Sequence, residues 1–103
     1  MKLALAQINP TVGDIIGNTD KILQYIEKAR PAGASLVIFP ELCVMGYPPK
    51  DLLLKPRLVE ANIKAVERIA ASCTDIAALV GFAEANTEPT GRRLRNAAAY
   101  CAD

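Results

Sequence analysis

The chain has 103 residues, 51% hydrophobic and 22% charged, with 12 lysines and arginines against 11 aspartates and glutamates. That length allows one domain at most, with a single modest core formed by burying roughly two-thirds of the unfolded surface. A net charge of +1, with no basic cluster beyond Arg92-Arg93-Leu94-Arg95, argues against nucleic acid as the main partner; that short cluster reads as a solvated turn.

Lys2 to Ile8 reads as a buried strand ended by Asn9-Pro10, and Thr11 to Gly17 as a loop. Asn18 or Thr19 is expected to cap a helix running to about Arg30, with Ile22, Ile26 and Ala29 on one face and Lys21, Gln24 and Lys28 toward water. Pro31 and Gly33 stop it, and Lys28 and Arg30 suit its last turn. Ser35 to Phe39 is uninterrupted apolar, the pattern of a strand buried on both faces. A long loop, Pro40 to Lys55, leads to a second helix from Pro56 to about Ser72. Its expected apolar stripe is Val59, Ile63, Val66 and Ala70, and Glu60 and Lys64 form an i,i+4 pair. Asp75 to Glu84 is a third strand, Asn86 to Arg93 a polar turn and Leu94 to Ala102 a fourth strand. The order is β-α-β-α-β-β, an α/β architecture with parallel pairing and a final antiparallel hairpin. A strand has just ended where the sequence stops, so the fold is expected to be incomplete there.

No apolar run approaches the ~20 residues needed to cross a bilayer. The N-terminus is too short for a signal-peptide core, which points to a cytoplasmic chain. The three cysteines, Cys43, Cys73 and Cys101, have no CxxC spacing, and there is no histidine. A zinc site, a disulfide framework and a histidine-activated nucleophile are therefore disfavoured, and the cysteines read as small buried apolar residues. Acid–base work falls to carboxylates, lysines, tyrosines or thiols.

The candidate for that work is Glu41. It follows Pro40 at the carboxyl end of an apolar strand, where open α/β folds place their chemistry. The same carboxylate could instead hydrogen-bond loop amides. Tyr47, in the proline-stiffened Gly46-Tyr47-Pro48-Pro49, could line a pocket or merely stiffen the loop.

The pattern resembles the nitrilase (carbon–nitrogen hydrolase) superfamily along essentially the whole chain. The matching residues are Ala6-Gln7, Asn9-Pro10, Gly13-Asp14, Asn18, Gly33-Ala34, Phe39-Pro40-Glu41-Leu42 and Asn96-Ala97-Ala98. Gly46-Tyr47-Pro48-Pro49 followed by Asp51-Leu52-Leu53 narrows the resemblance to the N-terminal glutaminase domains of glutamine-dependent NAD synthetases. The resemblance implies part of an α-β-β-α sandwich and a Glu-Lys-Cys triad with Glu41 as general base and Tyr47 lining the glutamine pocket. It implies that the triad lysine and cysteine lie beyond Asp103, so that this chain alone is inactive. It also implies glutamine as substrate, with deamido-NAD, ATP and magnesium serving a synthetase domain that this chain does not contain. No cofactor is expected in the chain itself. The intact enzyme is expected to be a homo-oligomer without membrane or nucleic-acid partners. Two other readings stand beside this one: a nitrilase-type amidase acting on another small amide, and a non-catalytic module that pairs through its open sheet.

Overall fold

Strand and helix alternate in the expected order: β1 (Leu3–Leu5), α1 (Ile15–Ala29), β2 (Leu36–Ile38), α2 (Pro56–Ser72), β3 (Ala77–Ala85) and β4 (Leu94–Cys101). The computed structural model describes residues 1–41, 43–46, 56–85 and 94–102. Tyr47 to Lys55 and residues 86–93, expected to form a polar turn and including Arg92 and Arg93, lie outside the described residues. The sheet order is β1-β2-β3-β4, with β1 and β2 parallel, β2 and β3 parallel, and β3 and β4 antiparallel.

Two register rows cross this sheet. Ala4, Val37, Ala78 and Cys101 are aligned in one row; Leu5, Ile38, Leu79 and Tyr100 form the next. Successive side chains of a strand point to opposite faces, so the two rows look in opposite directions. Val37, Ala78 and Cys101 are buried in one core with Ile22 and Ile26 of α1 and Ile69 of α2. Leu5 and Tyr100 are 73% and 62% exposed. Among the described residues the helices cover one face, and β2 is buried at Val37 but only half-buried at Leu36 and Ile38, so the burial on both faces expected from its sequence does not hold.

Three elements depart from the reading above. β1 forms a ladder only from Leu3 to Leu5, and a last bond runs from Ala6 N to Ile38 O at 2.9 Å. Among the described residues it is an edge strand paired only with β2, which ends at Ile38, so the ladder stops there. α1 begins four or five residues earlier than expected, at Ile15, with Asp14 rather than Asn18 or Thr19 as its cap. Asp14 Oδ1 accepts from Gly17 N at 3.0 Å, satisfying one of the helix's orphan donors. Gly17 makes this possible, since a Cβ there would sit 2.2 Å from Asp14 Oδ2. Asn18 and Thr19 lie inside the helix, where Thr19 Oγ1 donates back to Ile15 O at 2.7 Å.

α2 runs from Pro56 to Ser72 as expected, but its buried face is Val59, Asn62, Ala65 and Ile69. Ile63, Val66 and Ala70 are half-buried flanks. The helix packs against both β3 and α1, so its contact face is wider than a single stripe and is centred on a polar residue. Asn62 is fully buried, and its carboxamide pairs with one residue of β3. Nδ2 donates to Ala83 O at 2.7 Å, and Oδ1 accepts from Ala83 N at 3.2 Å. At the far end of the helices, Arg30 donates to Asp75 Oδ1 at 2.6 Å and also bonds Glu27 and the Ser72 carbonyl, tying the ends of both helices to the start of β3.

Candidate active site

β2 ends at Ile38, but the chain keeps contact with the exposed edge of β3 for several more residues. Phe39 N donates to Leu79 O at 3.0 Å, and Val44 N donates to Gly81 O at 3.4 Å. Glu41 sits between these anchors. Its side chain is exposed while Cys43, Val44 and Met45 are fully buried. Burial therefore pulls the segment after Glu41 into the core and leaves the carboxylate at the surface.

Beside it is a groove of ≈ 350 Å³ lined by Ile38, Phe39, Pro40, Glu41, Leu79, Gly81, Ala97 and Ala98. Ile38 and Leu79 belong to the row that no helix covers, so the groove opens on the free face at the carboxyl end of β2. Among the described lining residues Glu41 alone is ionisable. A carboxylate at the rim of an apolar groove can accept a proton from a nucleophile placed opposite it. It cannot open an amide bond alone, because the reaction also needs that nucleophile and a donor for the developing oxyanion.

None of the three thiols fills the nucleophile's place. Cys43, Cys73 and Cys101 are all buried, as expected. Burial pushes the Cys43 thiol up to about 11, outweighing the contact of its Sγ with Gly81 O at 3.8 Å. Burial raises Cys73 and Cys101 as well, so near neutral pH all three are thiols rather than the reactive thiolate. Among the described residues, no group of three His, Cys, Asp or Glu side chains could hold a metal ion. No described helix is long and apolar enough to cross a membrane. Tyr47, the expected pocket residue, lies outside the described residues.

Sequence reasoning missed the polar groups that fix the loop. Asn18, expected as a cap and named among the residues that carry the resemblance but given no role in the loop, is fully buried and bonds the backbone of Thr11 and of Val44. The available signal was an asparagine that becomes interior once Asp14 takes the capping role.

Residues 2–103 match the carbon-nitrogen hydrolase family. Over 83 residues, 80% of the chain, it is 45% identical to the glutamine-dependent NAD(+) synthetase of Xanthomonas campestris pv. campestris (strain 8004), of which it covers 15%. The glutamine-dependent NAD+ synthetase from Acinetobacter baumannii, solved in complex with ADP, aligns with 98% of this chain and 18% of its own length, with a TM-score of 0.87 and 38% identity. A mutant of the amidase from Nesterenkonia sp. AN1, showing covalent addition of the acetamide moiety of fluoroacetamide at its active site cysteine, aligns with 82% of this chain and 32% of its own. Its TM-score is 0.73 at 27% identity. The chain thus spans less than a fifth of the two synthetases, and its one-sheeted form is a part of the nitrilase fold that these structures share. Matched from residue 2 to residue 103, the chain belongs to the carbon-nitrogen hydrolase family.

Proposed function

We propose that this chain is the base-bearing N-terminal part of the glutaminase domain of a glutamine-dependent NAD synthetase. Glu41 takes the proton of a cysteine thiol supplied later in the domain, and the thiolate attacks the glutamine amide carbon. A lysine ammonium, also supplied later, holds the tetrahedral oxyanion. Collapse expels ammonia with the proton that Glu41 carried, leaving a thioester. Glu41 then takes a proton from water, which attacks the thioester, and returns it to the departing sulfur, releasing glutamate. Tyr47 lines the glutamine side-chain pocket. The ammonia passes to a synthetase domain that amidates deamido-NAD with ATP and magnesium, in a cytoplasmic homo-oligomer.

The observation that carries this reading is Glu41 itself. It is the one ionisable group among the described residues that line the groove, placed between two backbone anchors to β3. Likeness to two synthetases over most of the chain supports the choice of glutamine. A simple amidase is the second reading, favoured by the likeness to the Nesterenkonia enzyme. In the full-length protein, Glu41→Gln should cut glutamine-dependent ammonia release by about 10²–10⁴-fold while NAD formation from added ammonium persists. A near-parent rate with glutamine would make Glu41 a loop residue only. Turnover of short aliphatic amides without any coupled NAD formation would select the amidase. The isolated 103-residue chain is expected to release no ammonia.

A further inference from the structure

We propose that Asn18 is a positioning residue for Glu41, an inference that rests on the glutaminase reading. Asn18 is fully buried in α1, yet its carboxamide serves two other segments of chain. Oδ1 accepts from Thr11 N at 2.8 Å, while Nδ2 donates to Thr11 O at 2.8 Å and to Val44 O at 2.9 Å. These partners settle the orientation of the amide, because the flipped form would set an oxygen against two carbonyls and a nitrogen against an N–H.

The contact between the two loops is continuous. Gly13 N donates to Met45 O at 2.8 Å. Gly46 has φ +92°, and a Cβ there would lie 2.6 Å from Val12 Cα and 2.9 Å from Thr11 O. The loop before α1 therefore lies flush against Val44 to Gly46, with no room for a side chain between them.

Val44 is the second of the two anchors that bracket Glu41. On the β3 side it is held by a long bond, 3.4 Å to Gly81 O, so the shorter bond from Asn18 to its carbonyl is the firmer restraint. The first anchor, Phe39, continues directly from β2 and needs no such help. The Val44 end of the Glu41 segment is thus held by a clamp to which, among the described residues, Asn18 contributes the side chain. Alanine removes all three bonds. Aspartate keeps the volume but has no N–H for either carbonyl and carries a charge into a fully buried site.

The test uses the full-length protein and reads kcat and KM for ammonia release from glutamine in Asn18→Ala and Asn18→Asp, each alone and combined with Glu41→Gln. NAD formation from added ammonium reports that the synthetase domain of each preparation is folded, and an unchanged KM for glutamine reports the same of the glutaminase pocket. Misplacing a base by about 1 Å costs about 10²-fold, so kcat should fall about 10–100-fold with KM changed less than about threefold. In the Glu41→Gln background the same substitutions should change the residual rate by less than about twofold, because the group they act through is gone. An unchanged kcat, or an equal loss in both backgrounds, overturns the proposal. Loss of ammonium-dependent synthesis in both Asn18 variants makes Asn18 a folding residue and also overturns it. A parent protein that releases no ammonia from glutamine overturns the glutaminase reading first, and the positioning role with it.

Discussion

The row of Ala4, Val37, Ala78 and Cys101 and the row of Leu5, Ile38, Leu79 and Tyr100 lie one residue apart in the same sheet. Both are apolar, but they differ in size and in what covers them. The first is built of small side chains, which let α1 and α2 pack closely on the sheet, and its members join the core. The second is built of larger side chains, stays outside that core and adjoins the groove of Glu41. The helix-covered face holds the structure together, whereas the open face carries the candidate chemistry. Substitutions on the two faces should therefore separate cleanly into effects on stability and effects on association or activity.

The largest expected effect on stability is on the covered face. Ile22→Ala, at a position with no exposure, should cost about 2–5 kcal/mol in chemical unfolding of the chain, from lost burial plus the cavity left behind. Leu5→Ala, 73% exposed, should cost no more than about 0.5 kcal/mol. Equal costs would mean that the two faces are equally closed, and the comparison would fail.

A smaller effect sharpens the contrast from the other side. Leu5→Thr combined with Tyr100→Ser should leave the melting of the isolated chain nearly unchanged but reduce its self-association in sedimentation, because exposed contiguous apolar surface drives assembly. A parent chain that is already monodisperse at high concentration would show that the open row is not adhesive.

The smallest effect lies at the rim of the covered face. The hydrogen bond from Arg30 holds the Asp75 carboxyl below the usual carboxylate range. Its folded value is thus below the unfolded value of about 3.9. The stability it contributes is fully present above that pH and is lost as pH falls through the folded value. Asp75→Asn should flatten this part of the acid-unfolding profile and change little at neutral pH, since Asp75 is 65% exposed at its side chain. An identical acid profile for the variant would mean that the pair does not influence folding.

How much of this was legible in the sequence follows from which interactions are local. The limits of α2, the Glu60 to Lys64 pair (3.5 Å) and the buried face of α1 came directly from spacing and end signals. The position of Glu41 at the end of β2 came from one proline after an apolar run. The length of β1 could not be read from β1, because it is set by where β2 ends. Nor could apolar strands reveal which of their faces the helices would cover. Asn18 was misassigned because a cap is judged from its immediate neighbours, whereas its amide is used by Val44, 26 residues away. Asn62 breaks the stripe of α2 for the same reason, its partner being on β3, 21 residues on.

The pairing of Asn62 with Ala83 has a mechanical consequence. Apolar contacts between a helix and a sheet are nearly indifferent to small sliding, since one aliphatic neighbour replaces another at little cost. A carboxamide bound to both the N–H and the C=O of a single residue allows no such slip. α2 is therefore indexed to β3 like a key in a slot, and the point where the chain re-enters the helical layer after the Glu41 loop is fixed to within one residue of the sheet.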